Sequence, residues 1–407
     1  NAVTFNGNLT LSSGLTVGAG AAAYNVAING STNTIAGTTT FANTGTVALG
    51  NGSDTINFTG GVVATAPSGV TVNGTVTAAG TGVITLGDSD TGVTVASSST
   101  IGGTSTGAIT LGAATLADGA TLTIGTGIAN AISLSSVTGT ASGTSSSLTI
   151  NTTGAVTVGG AIGTDIGTIT ITNSGGTTFS GAADAATVAI TSTSASNAVT
   201  FNGNLTLSSG LTVGAGAAAY NVAINGTTNT IAGTTTFANT GTVALGNGSD
   251  TINFTGGVVA TAPSAVSVNG TVTAAGTGVI TLGDSNTGLT IGGTSTIGGT
   301  STGQITAGAI ALNNNLTLGA GAATPISLST VTGPSSGTAN LTLDTTGAIT
   351  VSGAVGTNIG TLTITNSGGT TFSGTVGATT VTLTNTTGTI AFNGALTATT
   401  LNTAAQA

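Results

Sequence analysis

The sequence predicts an all-β chain wound as a right-handed parallel β-helix, or β-solenoid. Three features lead there: internal repetition, short runs alternating aliphatic and hydroxyl residues, and a composition almost without charge.

Repetition sets the organisation. Residues 1–92 and 197–288 align at an offset of 196 with four differences, Ser31/Thr227, Gly69/Ala265, Thr71/Ser267 and Asp90/Asn286. After a three-residue length adjustment the copies resume as 163–181 and 356–374, and Phe392-Asn393-Gly394 repeats Phe5-Asn6-Gly7. The chain therefore reads as one unit over 1–196, a second over 197–389 and the opening of a third over 390–407. A shorter, degenerate period lies within each unit, marked by the spacings of Phe41 to Phe58, Phe179 to Phe201 and Phe372 to Phe392. The runs beginning at Gly45 and Gly82 are read as two periods apart. A coil of about 17–22 residues follows, and periods of that size signal solenoids.

The segments inside a coil are strands. Thr168 to Thr172, Leu205 to Leu207 and Thr380 to Thr384 alternate between aliphatic and hydroxyl side chains, with β-branched residues dominant. Asn-Gly at Asn6, Asn29, Asn73, Asn202 and Asn225 predicts tight turns that use positive φ. Pro67, Pro263, Pro325 and Pro334 sit in turn contexts. Propeller blades need about 40–50 residues, and immunoglobulin-like sandwiches rest on a Trp or Cys core that this chain lacks. A β-helix needs neither, because Val, Ile, Ala and stacked Phe fill its narrow interior. The crossover rule favours right-handed winding. About 20 rungs at ~4.8 Å each give a rod on the order of 100 Å.

Charge is the third feature. Nine Asp residues are the only charged side chains in 407 positions, for a net charge of -9, and Lys, Arg, His, Cys, Met and Trp are all missing. Without cations the chain has no patch for phosphates, so nucleic acid is excluded as a partner. Without His or Cys there is no zinc site and no imidazole or thiol catalysis. No run approaches the ~18 apolar residues of a spanning helix, and two Tyr cannot build the aromatic girdles of a membrane barrel. The chain is not expected to span a membrane or to be an enzyme.

The Asp residues are the candidate metal ligands. Asp88-Ser89-Asp90 brings two carboxylates together, and the second copy, Asp284-Ser285-Asn286, keeps oxygen donors but loses one acid. That pattern suits calcium better than a two-carboxylate hydrolase. Gly50-Asn51-Gly52-Ser53-Asp54, repeated with Asp250, resembles a single calcium-binding nonapeptide. Calcium is thus the one candidate cofactor, at Asp54, Asp88, Asp90, Asp250 and Asp284. Asp118, Asp165, Asp184 and Asp344 read as isolated turn residues. Tyr24 and Tyr220, each after Ala-Ala-Ala, are read as covers for a coil edge or as platforms for surface glycans. Thr168/Thr170/Thr172 and Thr380/Thr382/Thr384 raise an ice-binding reading, which irregular coil length argues against.

The stretch Ile171 to Gly181, repeated over Ile364 to Gly374, resembles the β-strand-repeat exoproteins of bacteria, including filamentous-haemagglutinin-like and autotransporter-passenger proteins and β-rich surface-layer proteins. The resemblance implies an extracellular or cell-surface parallel β-helix used for adhesion, matrix or coating, and it transfers no catalytic residue. The expected function is a secreted structural protein that self-assembles into a fibre, sheath or surface layer. The alternative is an adhesin that binds surface glycans or cells. Val3, Phe5, Leu9 and Leu11 are the candidate assembly residues at one edge, with Phe392, Leu396 and Leu401 at the other. Ala405-Gln406-Ala407 has the Ala-x-Ala form of a signal-peptidase site.

Overall fold

The computed structural model describes residues 1–141 and 143–403; Ala405-Gln406-Ala407 lies outside the described residues. The fold is a parallel β-solenoid of about 17 turns. The described residues form 46 strands and no helix, hence no helix long and apolar enough to cross a membrane. Two compact units divide the chain, Asn1–Gly203 with Gly216–Ala218, and Asn204–Ala215 with Ala219–Ala407.

Each turn lays one strand on each of three faces. In the first unit, face one stacks Ala2–Phe5, Asn25–Ile28, the leading parts of Thr46–Phe58 and Gly69–Ala78, Gly92–Val95, Ala114–Leu116 and Val137–Gly139. Face two stacks Thr32–Ile35, the trailing parts of the same two long strands, Ser99–Gly103, Thr121–Ile124, Ser146–Asn151 and Ile166–Asn173. Face three stacks Thr39–Phe41, Gly61–Ala64, Val83–Leu86, Ile109–Leu111, Ile132–Leu134, Val156–Val158, Thr177–Phe179 and Ala198–Phe201. The second unit repeats the scheme, with Thr235–Phe237, Gly257–Ala260, Val279–Leu282 and Ile305–Ala307 on its third face.

Period-2 alternation decides which side chains enter the core. In Gly69–Ala78 every second residue is buried, and the Thr residues between them face outward. Stacking then places like on like. The inward column of face three in the first unit runs Thr39, Val62, Ile84, Ile109, Ile132, Val156, Thr177 and Val199. Further along the same strands, Phe179 and Phe201 stack with centroids 4.8 Å apart and planes 4° from parallel. Phe372 and Phe392 do the same in the second unit at 5.0 Å.

Corners are stitched by buried polar side chains that bond to the backbone of the turn before. Asn130 Nδ2 donates to the carbonyls of Ser105 and Gly107 at 2.6 and 2.8 Å, and Thr152 Oγ1 donates to the Asn130 carbonyl at 2.6 Å. In the second unit Thr345 Oγ1 reaches the Thr324 carbonyl at 2.6 Å. These bonds satisfy carbonyls that the turning chain removes from the ladders.

Several expectations are corrected. Register partners such as Thr121↔Ser147 and Thr123↔Thr149 are spaced more widely than the expected coil allows, so the turns number about 17 rather than roughly 20. The step from Phe41 to Phe58 joins two different faces of neighbouring turns, and the rings meet edge to face at 6.2 Å. The runs at Gly45 and Gly82 also lie on different faces, so their spacing is not two turns. Of the Asn-Gly pairs, Gly74 takes positive φ, at 132°. Asn6 and Asn29 instead stack, Asn29 Nδ2 donating to Asn6 Oδ1 at 3.2 Å.

Coil length varies at the corners while strand register holds. On face two of the first unit, Thr32, Thr55, Thr75, Thr100, Thr123, Thr149 and Thr170 form one outward ladder. Its shortest step runs from Thr55 to Thr75 and its longest from Thr123 to Thr149, yet each pair is in register. Thr228, Thr251, Thr271, Thr296, Thr317, Thr342, Thr363 and Thr382 form its counterpart in the second unit.

Candidate functional site

The candidate calcium ligands do not converge. Asp54 occupies the kink between faces one and two, where Gly50 takes φ 85° and the long strand Thr46–Phe58 bends. Its carboxylate is buried, and Oδ2 accepts the Asn51 amide at 2.8 Å. Asp250 repeats this with the Asn247 amide at 2.8 Å. Their work is local: each caps an amide that the kink takes out of the ladder. Among the described residues no three acidic side chains group into a metal cluster.

Asp88 sits at the corner that leaves face three. Its Oδ1 accepts the amides of Asp90 and Thr91, both at 2.9 Å, while its own amide donates to the Thr91 carbonyl at 3.1 Å. The amides of Asp90 and then Thr91 hold its carboxyl below the usual carboxylate range. Asp284 makes the same turn with Asn286 and Thr287 at 2.8 and 2.9 Å. Asp90 therefore contributes a backbone amide here, a job that Asn286 does equally well. The turn is pinned below by Thr91, whose buried Oγ1 donates to the carbonyls of Thr65 and Pro67 at 2.8 and 2.6 Å. It also rests on Gly112, where a Cβ would stand 2.8 Å from the Asp88 nitrogen.

Beside this turn lies a surface groove of about 410 Å³. One wall is Asp88 and Ser89; the floor passes over Gly112, Ser135 and Gly159, small residues that keep the corner low in the turns that follow. The other side is the outward hydroxyl column Thr85, Thr110 and Ser133, held in register by face three. An equivalent groove of about 310 Å³ occurs in the second unit between Asp284, Ser285 and the column Thr281, Thr306 and Ser327. Sequence reasoning singled out Asp88 and Asp284 but missed the groove. The signal that could have found it is Thr110/Thr306 and Ser133/Ser327, retained in stretches where the copies otherwise diverge, as at Leu111/Ala307.

Tyr220 is fully buried and its hydroxyl donates to the Gly214 carbonyl at 2.5 Å. It is a core residue and not a platform for sugars. Burial pushes its phenol up to about 12. Tyr24, half-buried, makes the corresponding bond to the Gly18 carbonyl at 2.6 Å. In the Thr168-to-Thr172 array, Thr168 and Thr170 are in register with Ser147 and Thr149, whereas Thr172 falls at a register shift. Thr384 lies beyond the strand Val376–Leu383.

The candidate assembly residues lie at edge strands, except Leu9, which directly precedes the strand Thr10–Leu11. Val3 is 45% exposed and Leu401 51%. Phe5, Leu9, Leu11, Phe392 and Leu396 are half-buried.

Compared with known proteins, the chain matches no family model, no curated protein and no solved structure.

Proposed function

We propose that this chain is a secreted structural protein that builds an extracellular fibre, sheath or surface layer by stacking solenoid turns end on. One observation carries the reading: the edge side chains are ones that the repeat buries elsewhere. Val3 is 45% exposed while its copy Val199 is 0%, and Phe201, Leu205 and Leu207, the copies of Phe5, Leu9 and Leu11, are at most 1% exposed. At the other edge, Ile390–Phe392 and Leu396–Thr403 pair with Thr370–Phe372 and Val376–Leu383 on one side. Among the described residues both end turns pair on one side and lay out aliphatic side chains as an internal turn does, and such edges template further strands. The occupant with matching register is another turn of the same kind.

Composition favours this reading as well. Identical turns would stack any retained charge on its own like, so near-absence of charge lowers the barrier to association. A chain without Lys, Arg, Cys, Met or Trp offers trypsin-like proteases and oxidants little to act on, which suits an extracellular setting. The resemblance of 171–181 to bacterial exoprotein repeats points the same way.

The test is sedimentation and negative-stain electron microscopy of the purified chain beside a Val3→Asp/Leu401→Asp variant. Wild type is expected to form filaments that lengthen with concentration. The variant is expected to stay as single particles with an unchanged circular-dichroism spectrum. Wild-type protein that stays monodisperse across the concentration series overturns the reading.

A further inference from the structure

The paired grooves have features that stacking of turns does not use. Each lies wholly within one compact unit, 65–159 in the first and 261–352 in the second. Each is walled by a turn held rigid from three directions: by its own Asp carboxylate, by a buried Thr hydroxyl below, and by a glycine with no room for a side chain. The Gly112 site has its copy at Gly308, where a Cβ would stand 2.4 Å from the Asp284 carbonyl oxygen.

Apart from Ser352, which donates to the Leu328 carbonyl at 3.1 Å, the hydroxyl columns that face these grooves are unspent. The hydroxyls of Thr85, Thr110 and Ser133 make no hydrogen bond to another described residue, and Asp88 accepts its turn amides through Oδ1, which leaves Oδ2 to the rim. The hydroxyls repeat along the solenoid axis at the inter-strand step of ~4.8 Å, with Thr methyl groups and the edges of Leu111 and Leu134 between them. A ligand that fits presents its own hydroxyls at regular intervals and an apolar surface beneath them. It carries no negative charge, because the only charged group at the groove is a carboxylate and the chain has no Lys, Arg or His. Grooves of a few hundred Å³ are within the range of small-ligand sites.

We propose that each groove binds a segment of an extended neutral polysaccharide, laid along the solenoid axis, giving two equivalent sites per chain. Thr85, Thr110 and Ser133, with Thr281, Thr306 and Ser327, hydrogen-bond successive sugar rings. Asp88 and Asp284 accept from hydroxyls at the rim. The groove is shallow and no aromatic side chain lines it, so its contribution grows with polymer length, as successive weak contacts on one tether raise the effective concentration for the next. The sites stand independently of end-on assembly, since their residues lie on the flank and not at the edges.

Titration calorimetry of the intact chain with neutral linear hexasaccharides (β-glucan, xylan, mannan and chitin series), with hexalysine as the competing class, tests this. The wild type is expected to bind at least one sugar series at two sites. Thr110→Val/Ser133→Ala is expected to leave one site, and adding Thr306→Val/Ser327→Ala to weaken binding at least tenfold. Thr71→Val/Thr94→Val, outward residues of face one, is the control and is expected to change nothing. No binding by any sugar series, equal losses in the control and groove variants, or preference for hexalysine overturns the assignment.

Discussion

Replacing Thr177 with Val should stabilise the chain. Thr177 opens one of four Thr-Thr-Phe strands, with Thr39, Thr235 and Thr370 opening the others. Each of the four is at most 1% exposed, and each Oγ1 lies buried with no hydrogen-bond partner. An unsatisfied buried hydroxyl costs about 1–3 kcal/mol. Shape gives no reason to keep it. Thr177 stands in the inward column between Val156 and Val199, and Thr370 stands between Ile349 and Ile390. Valine has the same branching and is the residue its neighbours already use. Each Thr→Val change should therefore add about 1 kcal/mol, the low end of that range, because a hydroxyl can also rotate toward a distant carbonyl. Thr39 and Thr177 lie near opposite ends of one column, so their effects should sum. Equilibrium urea unfolding followed by circular dichroism reads the outcome as a rise in midpoint at constant slope. A loss of more than about 0.5 kcal/mol would mean that the hydroxyl has a partner, and would refute the reasoning.

Three further outcomes follow from named contacts. Phe179→Ala removes a ring that is 1% exposed and stacked on Phe201; a loss of about 3–5 kcal/mol is expected in the same urea assay. Gly50→Ala forces φ 85° on a residue with a side chain and sets its Cβ 2.2 Å from the Asn73 carbonyl oxygen, so stability should fall by more than the ~1–2 kcal/mol of positive φ alone. Tyr220 is raised to about 12 by desolvation. A group raised above its unfolded value near 10 leaves stability intact below pH 10 and loses it as pH climbs toward 12, by on the order of 1–3 kcal/mol in all. Tyr220→Phe should remove that alkaline loss in melts run from about pH 9 to 12.

The strands were legible because period-2 alternation is a local signal. Thr121 to Ile124 reads as hydroxyl out, aliphatic in, and the fold obeys it. Coil length was not legible, because it depends on corners. The turn from Thr123 to Thr149 is longer than the turn from Thr168 to Thr187, yet both pairs sit in register, and such variation looks in sequence like irregular repetition. The Phe markers misled for the same reason: Phe41 and Phe58 look like successive beats but stand on different faces. At the candidate site, Asp88 stood out as a scarce carboxylate. Its neighbours Gly112, Ser135 and Gly159 did not, since three small residues from three later turns form a floor only after the chain has wound. Asp54 shows the converse. Its sequence context resembles a metal loop, while its carboxylate is committed to the nearby amide of Asn51.

X-ray fibre diffraction from oriented assemblies of the chain bears most directly on the claim that this solenoid continues by stacking turns. If turns stack in register within and between copies, a sharp reflection near ~4.8 Å lies on the meridian, parallel to the fibre axis. The same ~4.8 Å reflection on the equator, with strands running along the fibre, would contradict the account.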